Sequence, residues 1–216
     1  KEVTPAALAN IFRELEDAGA DNISLVTPSH VIPYLVAAFE LYQPKIPVVY
    51  NSGGYDSVEA LRLIDEYVDI YLPDMKYSDP KLAGILSAAP DYVEIAKAAI
   101  AEMYRQVGSA VIEDEIMQRG MIVRHLMLPG ELDNTLGVLD WFSEAFPKGD
   151  VLFSLMSQYV PMGKAKTMPP YDRRITEDEY DAALSYLELL GIENGFTQDF
   201  SAATEEYIPD FSFEGL

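Results

Sequence analysis

The sequence predicts an α/β fold made of repeated β-α units around a parallel sheet, and three observations carry that prediction. Short apolar segments rich in β-branched residues alternate with longer amphipathic ones. Each short segment is nearly continuously apolar, as strands covered on both faces must be. Capping signals punctuate the long segments: Thr4 before Pro5, and Thr176 before EDEY, mark helix starts, and Gly19 and Gly191 follow helical runs where a left-handed cap is wanted. A chain of 216 residues is long enough for one domain with a real core, and nothing in its length demands two, so residues 1–216 read as a single domain.

In chain order, a helix over 5–18 precedes a strand over 22–27 (NISLVT), and a helix over 31–42 precedes a strand over 47–51 (PVVYN). A helix over 57–67 leads to the strand 69–76 (DIYLPDMK), whose Pro73 lacks a ladder donor and marks a strand that ends or bulges there. Helix 92–107 comes before the strand 121–128 (MIVRHLML), and helix 131–146 before the strand 151–158 (VLFSLMSQ). Residues 161–176 are proline-rich without periodicity and read as a loop or lid, followed by a helix over 177–190. No internal repeat or low-complexity segment accompanies the β-α alternation.

Composition excludes several functions. Apolar residues at 49% and charged residues at 24% are those of an ordinary globular chain. A net charge of −21 argues against nucleic acid and other polyphosphate partners, which need clustered Lys and Arg. No apolar run approaches the ~20 residues that cross a bilayer, and the first residues show no signal-peptide pattern, which makes the cytoplasm the expected location. With no cysteine and only His30 and His125, the chain offers no thiolate site and no multi-histidine metal site; no metal ligand is assigned.

In parallel β-α architectures the site forms at the C-terminal ends of the strands. These ends deliver Thr27 to His30, Asn51 to Gly54, Asp74 to Tyr77, and Ser157 to Tyr159, while Arg124 and His125 stand inside an apolar strand. Asp74 and Lys76 share one side of their strand, so a carboxylate beside an ammonium could grip a zwitterion; on these residues alone a surface ion pair is the simpler reading. A guanidinium amid Met, Ile, Val and Leu must find partners or a polar cavity, so Arg124 is either a structural ion-pair member or a ligand contact. Strand parity sends Arg124 and His125 to opposite faces, and a lone histidine is more often a hydrogen-bonded core residue than a catalyst. The turn Asn51 to Gly54 lacks the spacing of a phosphate-binding fingerprint. No catalytic residue is assigned.

The ordered run NISLVTPSH, VVYNSGGY, DIYLPDMKY, VRHLMLPG, SLMSQYVPMGK and GIENGFTQD resembles radical S-adenosylmethionine proteins similar to pyruvate formate-lyase activating enzyme, over nearly the whole chain. The resemblance implies a partial TIM-like barrel of parallel β-α units, with the first strand and the cluster loop missing. It implies S-adenosylmethionine and a 4Fe-4S cluster in the full-length protein, with none expected on this chain, since the Cys-x-x-x-Cys-x-x-Cys loop that binds three irons is absent. Carried over by position, Thr27 to Ser29 replaces the motif that receives the methionine amine, departing from the usual Gly-Gly-Glu. Asn51 and Ser52 fall at ribose and carboxylate contacts; Asp74 and Lys76 match an Asp-x-Lys that touches the cofactor; Arg124 matches a fifth-strand arginine; and Gln158 or Tyr159 takes a final-strand contact. The implied partner is a glycyl-radical enzyme or a small-molecule substrate. Loss of the cysteine loop implies a truncated, inactive domain rather than a relative that has abandoned the chemistry, which would have little reason to keep the strand-end set.

Two other readings stand beside this one: a cluster-free β/α barrel enzyme using Asp74 and Lys76 in acid-base or Schiff-base chemistry, and a non-catalytic domain binding a nucleoside or amino acid. A missing first strand also implies that residues 22–27 form an open sheet edge, prone to self-association unless a loop or the terminal YIPDFSFEGL covers it.

Overall fold

Thr4 opens the first helix, its hydroxyl accepting from the Ala7 N–H, with Pro5 at the first helical position. From there the computed structural model, which describes residues 3–197 of the 216, lays down β-α units in sequence. They are α1 (Pro5–Asp17), β1 (Ile23–Val26), α2 (Ile32–Leu41), β2 (Val48–Ser52), α3 (Val58–Leu63), β3 (Ile70–Pro73), α4 (Pro80–Ser87) and α5 (Tyr92–Val107). β4 (Val111–Glu113), β5 (Ile116–Leu126), α6 (Leu132–Ala145), β6 (Leu152–Met156), α7 (Glu177–Leu189) and β7 (Gly195–Thr197) complete them.

The sheet runs β1-β2-β3-β5-β6-β7, all parallel, with β4 folded back antiparallel on β5. Because each new strand is added on the same side of the last, the order never reverses and the crossover helices collect on one face, so the sheet curls as part of a barrel without closing. The helix-facing side is the core: Ile23, Leu25, Val48, Tyr50, Tyr71, Met121, Val123, Phe153 and Leu155 are all buried there. The expectation of strands covered on both faces holds along β2, β3 and β6, where the concave-facing Val49, Ile70 and Leu152 are buried too, and is corrected for β1 and for the strand ends. On the concave side the residues nearest the strand ends remain partly open, Val26 at 70% exposure, Phe196 at 55%, and Asn51, Leu72, Leu126 and Met156 between buried and exposed.

All five expected strands and all six expected helices occur. The sequence reading missed α4, β4 and β7. α4 has its signals, Asp79 capping and Pro80 at the first position, but spans only eight residues. The β4–β5 hairpin turns on Asp114 and Glu115, both at positive φ, without the Asn-Gly or Asp-Gly that announces such a turn. The 161–176 loop holds one 3₁₀ turn, Gly163–Thr167. β1 pairs only with β2 among the described residues, so it stands at the sheet edge as expected; the YIPDFSFEGL segment lies outside the described residues.

Candidate functional site

Parallel register brings three polar side chains into a row across adjacent strand ends. Val26 pairs with Asn51, Asn51 with Leu72, and Asp74, one step beyond β3, bridges to Arg124 of β5. Side chains on one face recur every second residue, so Asn51, Asp74 and Arg124 share the concave face with Leu72, Leu126 and Met156. Arg124 Nη2 donates to Asn51 Oδ1 at 2.7 Å and stands 2.7 Å from Asp74 Oδ1, pairing the two charges. Its N–H is aligned on Asn51, which leaves Asp74 Oδ1 and Arg124 Nε buried without an aligned hydrogen bond. Lys76, 46% exposed, extends the row with Nζ 3.6 Å from Asp74 Oδ2.

The segment that presents Asp74 and Lys76 is fixed from behind. The Tyr92 hydroxyl donates to the carbonyls of Gly53 and Asp74, both at 2.8 Å, and accepts from the Lys76 N–H at 3.0 Å. Burial pushes the Tyr92 phenol well above its usual range, so it holds this geometry as a neutral group. Asn134 of α6 donates to the Lys76 carbonyl and accepts from the Ser78 N–H. Gly54, at φ +77°, is required where it stands: a Cβ there would lie 2.1 Å from the Asp74 carbonyl oxygen.

His125 faces the other way, into the core. Its Nδ1 lies 2.7 Å from the Met75 carbonyl, which can only accept, so Nδ1 carries the proton and Nε2 accepts from the Thr135 hydroxyl at 3.0 Å. Burial pulls it down to about 4, against a weaker opposing effect of the Met75 hydrogen bond, and it is a structural histidine.

The structure therefore gathers Asn51, Asp74, Lys76 and Arg124 at one place. Ser29 and Ser52 go elsewhere: both hydroxyls, with that of Tyr50, donate to the buried carboxylate of Asp56. That cluster shapes the turn after β2. Thr27, the residue after β1, lies in the left-handed region at φ 54°, unusual for a β-branched residue, with its N–H on the Asn51 carbonyl at 2.8 Å. Tyr159 donates to the Tyr171 carbonyl at 2.8 Å, at the base of the loop after β6, and Gln158 Nε2 lies 3.8 Å from Met156 Sδ. Tyr92, Asn134 and Asp56 were missed; a buried tyrosine at a helix start and an asparagine inside a helix leave no spacing signal in one sequence. A cavity of about 430 Å³, lined by Phe142, Lys148, Gly191 and Asn194 among others, lies at the opposite ends of the strands. It is remote from every strand-end polar group, and the row is the better candidate because convergent polar groups define a site more strongly than volume.

No His, Cys, Asp or Glu group able to hold a metal occurs among the described residues, and no helix among them is long and apolar enough to cross a membrane. No family model matches the chain. It is 30% identical over 192 residues to an uncharacterized protein of Methanocaldococcus jannaschii; the match covers 88% of this chain and 52% of that protein, so the chain spans about half the length of this curated relative. In fold it is similar to a domain of pyruvate-formate lyase-activating enzyme from Bacteroides vulgatus, with TM-score 0.59, 11% identity, and 82% and 98% of the two chains covered. It is also similar to Streptococcus suis SuiB bound to precursor peptide SuiA, with TM-score 0.60, 10% identity, and 92% and 43% covered. For SuiB bound to S-adenosylmethionine the TM-score is 0.57 at 13% identity, with 95% and 46% covered. At these identities the likeness is one of fold, and it agrees with the resemblance carried by the motifs.

Proposed function

We propose that the chain is the S-adenosylmethionine-holding part of a radical S-adenosylmethionine enzyme resembling glycyl-radical-enzyme activases. The observation that carries this reading is the row Asn51, Asp74, Lys76, Arg124 on the open concave face, with Asp74 Oδ1 and Arg124 Nε lacking aligned partners. The fold likeness to an activating-enzyme domain, and to a protein solved with S-adenosylmethionine, supports it.

The donor set fits the cofactor. Asp74 would accept from the methionine ammonium, while Lys76 and Arg124 would donate to its carboxylate, an arrangement complementary to a zwitterion. Asn51, whose carbonyl is held by Arg124, keeps its amide N–H groups for the ribose hydroxyls. Leu72, Leu126 and Met156 on the same face supply apolar contact for the base. Because the 216 residues contain no cysteine, any 4Fe-4S cluster would be ligated by cysteines outside them, and this chain alone should bind no iron. When bound, the cluster and cofactor supply one-electron cleavage chemistry that ends in hydrogen-atom abstraction. The neutral, core-facing His125 takes no part in proton transfer. Lys76 is too exposed for the desolvated amine that Schiff-base chemistry needs, which disfavours the cluster-free alternative.

The hydrogen donor in this reading is a polypeptide, either a glycyl-radical enzyme or a peptide precursor. The activating-enzyme fold and the peptide-bound SuiB likeness support that choice over a small molecule. The test is equilibrium binding of S-adenosylmethionine to the product of the complete gene, reconstituted anaerobically with iron and sulfide. Charge-assisted contacts contribute about 1.5–3 kcal/mol each, so Lys76→Ala should raise Kd roughly tenfold or more. An unchanged Kd would refute the assignment.

A further inference from the structure

The segment between β6 and α7, residues 157–176, is the basic part of an acidic molecule. It holds Lys164, Lys166, Arg173 and Arg174, four of the fifteen Lys and Arg residues, but only Asp172 of the thirty-six Asp and Glu. Its base is clamped at the site end of the sheet. Tyr171 and Ile175 are buried, and the Tyr171 hydroxyl donates to Glu131 at the start of α6. Arg173 pairs with Glu179 of α7 at 2.8 Å, and the Gly130 N–H donates to the same carboxylate at 2.7 Å. Its tip is bare. Met162, Lys164, Lys166 and Met168 are all exposed, and neither lysine has an ion pair among the described residues.

We propose that the tip around Gly163–Thr167 is a docking surface for an extended, acidic and apolar peptide segment of a partner protein. In a chain of net charge −21, acidic neighbours are the default company of a lysine, and here Asp172 alone accompanies four cations over the whole segment. At physiological salt the screening length is about 8 Å, so a partner at the tip meets the local cations while the acidic remainder is largely screened. Two methionines left in water beside those cations are adaptable apolar contacts. The geometry selects a chain over a small anion. Lys164 and Lys166 lie two apart on a turn of about three residues per repeat, so their side chains leave the axis in different directions, an arrangement suited to charges spaced along a chain. Charge and apolar surface are spread along residues 162–168 rather than gathered in a pocket. The inference rests on the cofactor reading only in naming the polypeptide as the species brought to the concave face.

The test contains no S-adenosylmethionine, so it fails or succeeds independently of that reading. A fluorescein-labelled octapeptide of alternating Glu and Leu is titrated at 0.15 M salt against the wild type and against the Lys164→Glu, Lys166→Glu double variant. The Ser-Leu octapeptide is the neutral control, and glutarate the small-anion competitor. Methyl NMR follows Met162 and Met168. The expected result is saturable binding of the acidic peptide only, shifts of both methionine methyls, and roughly tenfold or greater weakening in the double variant, whose circular dichroism should be unchanged because both positions are exposed. Absence of binding, or binding indifferent to the charge reversal, would overturn the proposal. Displacement of the peptide by low millimolar glutarate would overturn it in favour of a small-anion site.

Discussion

Arg124 and His125 are neighbours with opposite fates, and alternation along β5 decides which is which. Arg124 turns to the concave face and finds Asn51 and Asp74; His125 turns to the helices and is wholly buried between Met75 and Thr135. The histidine makes stability depend on pH with a definite sign. Its folded value of about 4 lies below the ordinary 6.5, so between these values the unfolded chain takes up a proton that the folded chain refuses. The stability it contributes is complete above pH 6.5 and is lost as pH falls through about 4, an effect of about 3 kcal/mol. Denaturant unfolding of wild type and His125→Asn should therefore diverge in pH dependence across that window. Parallel curves would mean that the folded ring takes up its proton over the same pH range as the unfolded one. The sequence showed that the two residues face opposite ways but not which faces which, because that depends on how β5 is laid against β3 and β6. Asp74 with Lys76 was legible from their spacing. Asn51 was legible through its place at a strand end and through the resemblance; Tyr92 was not, because its partners Lys76, Asp74 and Gly53 are far away in the chain, nor was Asp56, whose nearer partners Ser52 and Tyr50 form no recognised spacing.

At the scale of elements, the site is set by how the turns after β2 and β3 lock together. Tyr92 of α5 ties both turns with one hydroxyl, and Gly54 passes against the Asp74 carbonyl with no room for a Cβ. Gly54→Ala should cost about 1–3 kcal/mol, because both its positive φ and the close backbone are violated. Gly53→Ala, whose Cβ would meet only the Lys76 side chain at 3.6 Å, should cost much less. Chemical denaturation of the two variants checks the difference, and equal costs would mean that the turns are not locked. The main helices and strands were readable because caps and apolar runs are local signals. α7 is the clearest case, where Thr176 and Glu179 complete a capping box. β4 and β7 were not readable, being three residues long and defined by their partners rather than by any pattern of their own.

Over the molecule as a whole, an unreversed strand order puts the crossover helices of the described residues on one face and leaves the strand ends open on the other. That openness explains why apolar residues such as Val26 and Phe196 face solvent at the sheet's two sides, and why a polar row can be reached by a ligand. It also explains why the expectation of strands covered on both faces holds at Val49, Ile70 and Leu152 but fails toward the strand ends. An apolar run in one strand shows that it is mostly buried, and cannot show whether the next layer closes over its C-terminal end. The central claim is that this row, and not the cavity at the opposite strand ends, receives S-adenosylmethionine. Amide and guanidinium NMR on the 24.1 kDa chain, titrated with S-adenosylmethionine to millimolar concentration, tests it most directly because weak binding is still read residue by residue. Shifts confined to Thr27, Asn51 to Gly54, Asp74 to Lys76 and the Arg124 Nε–H are predicted. Shifts centred on Gly149 and Gly191 to Asn194, or no shifts at all, would contradict the account.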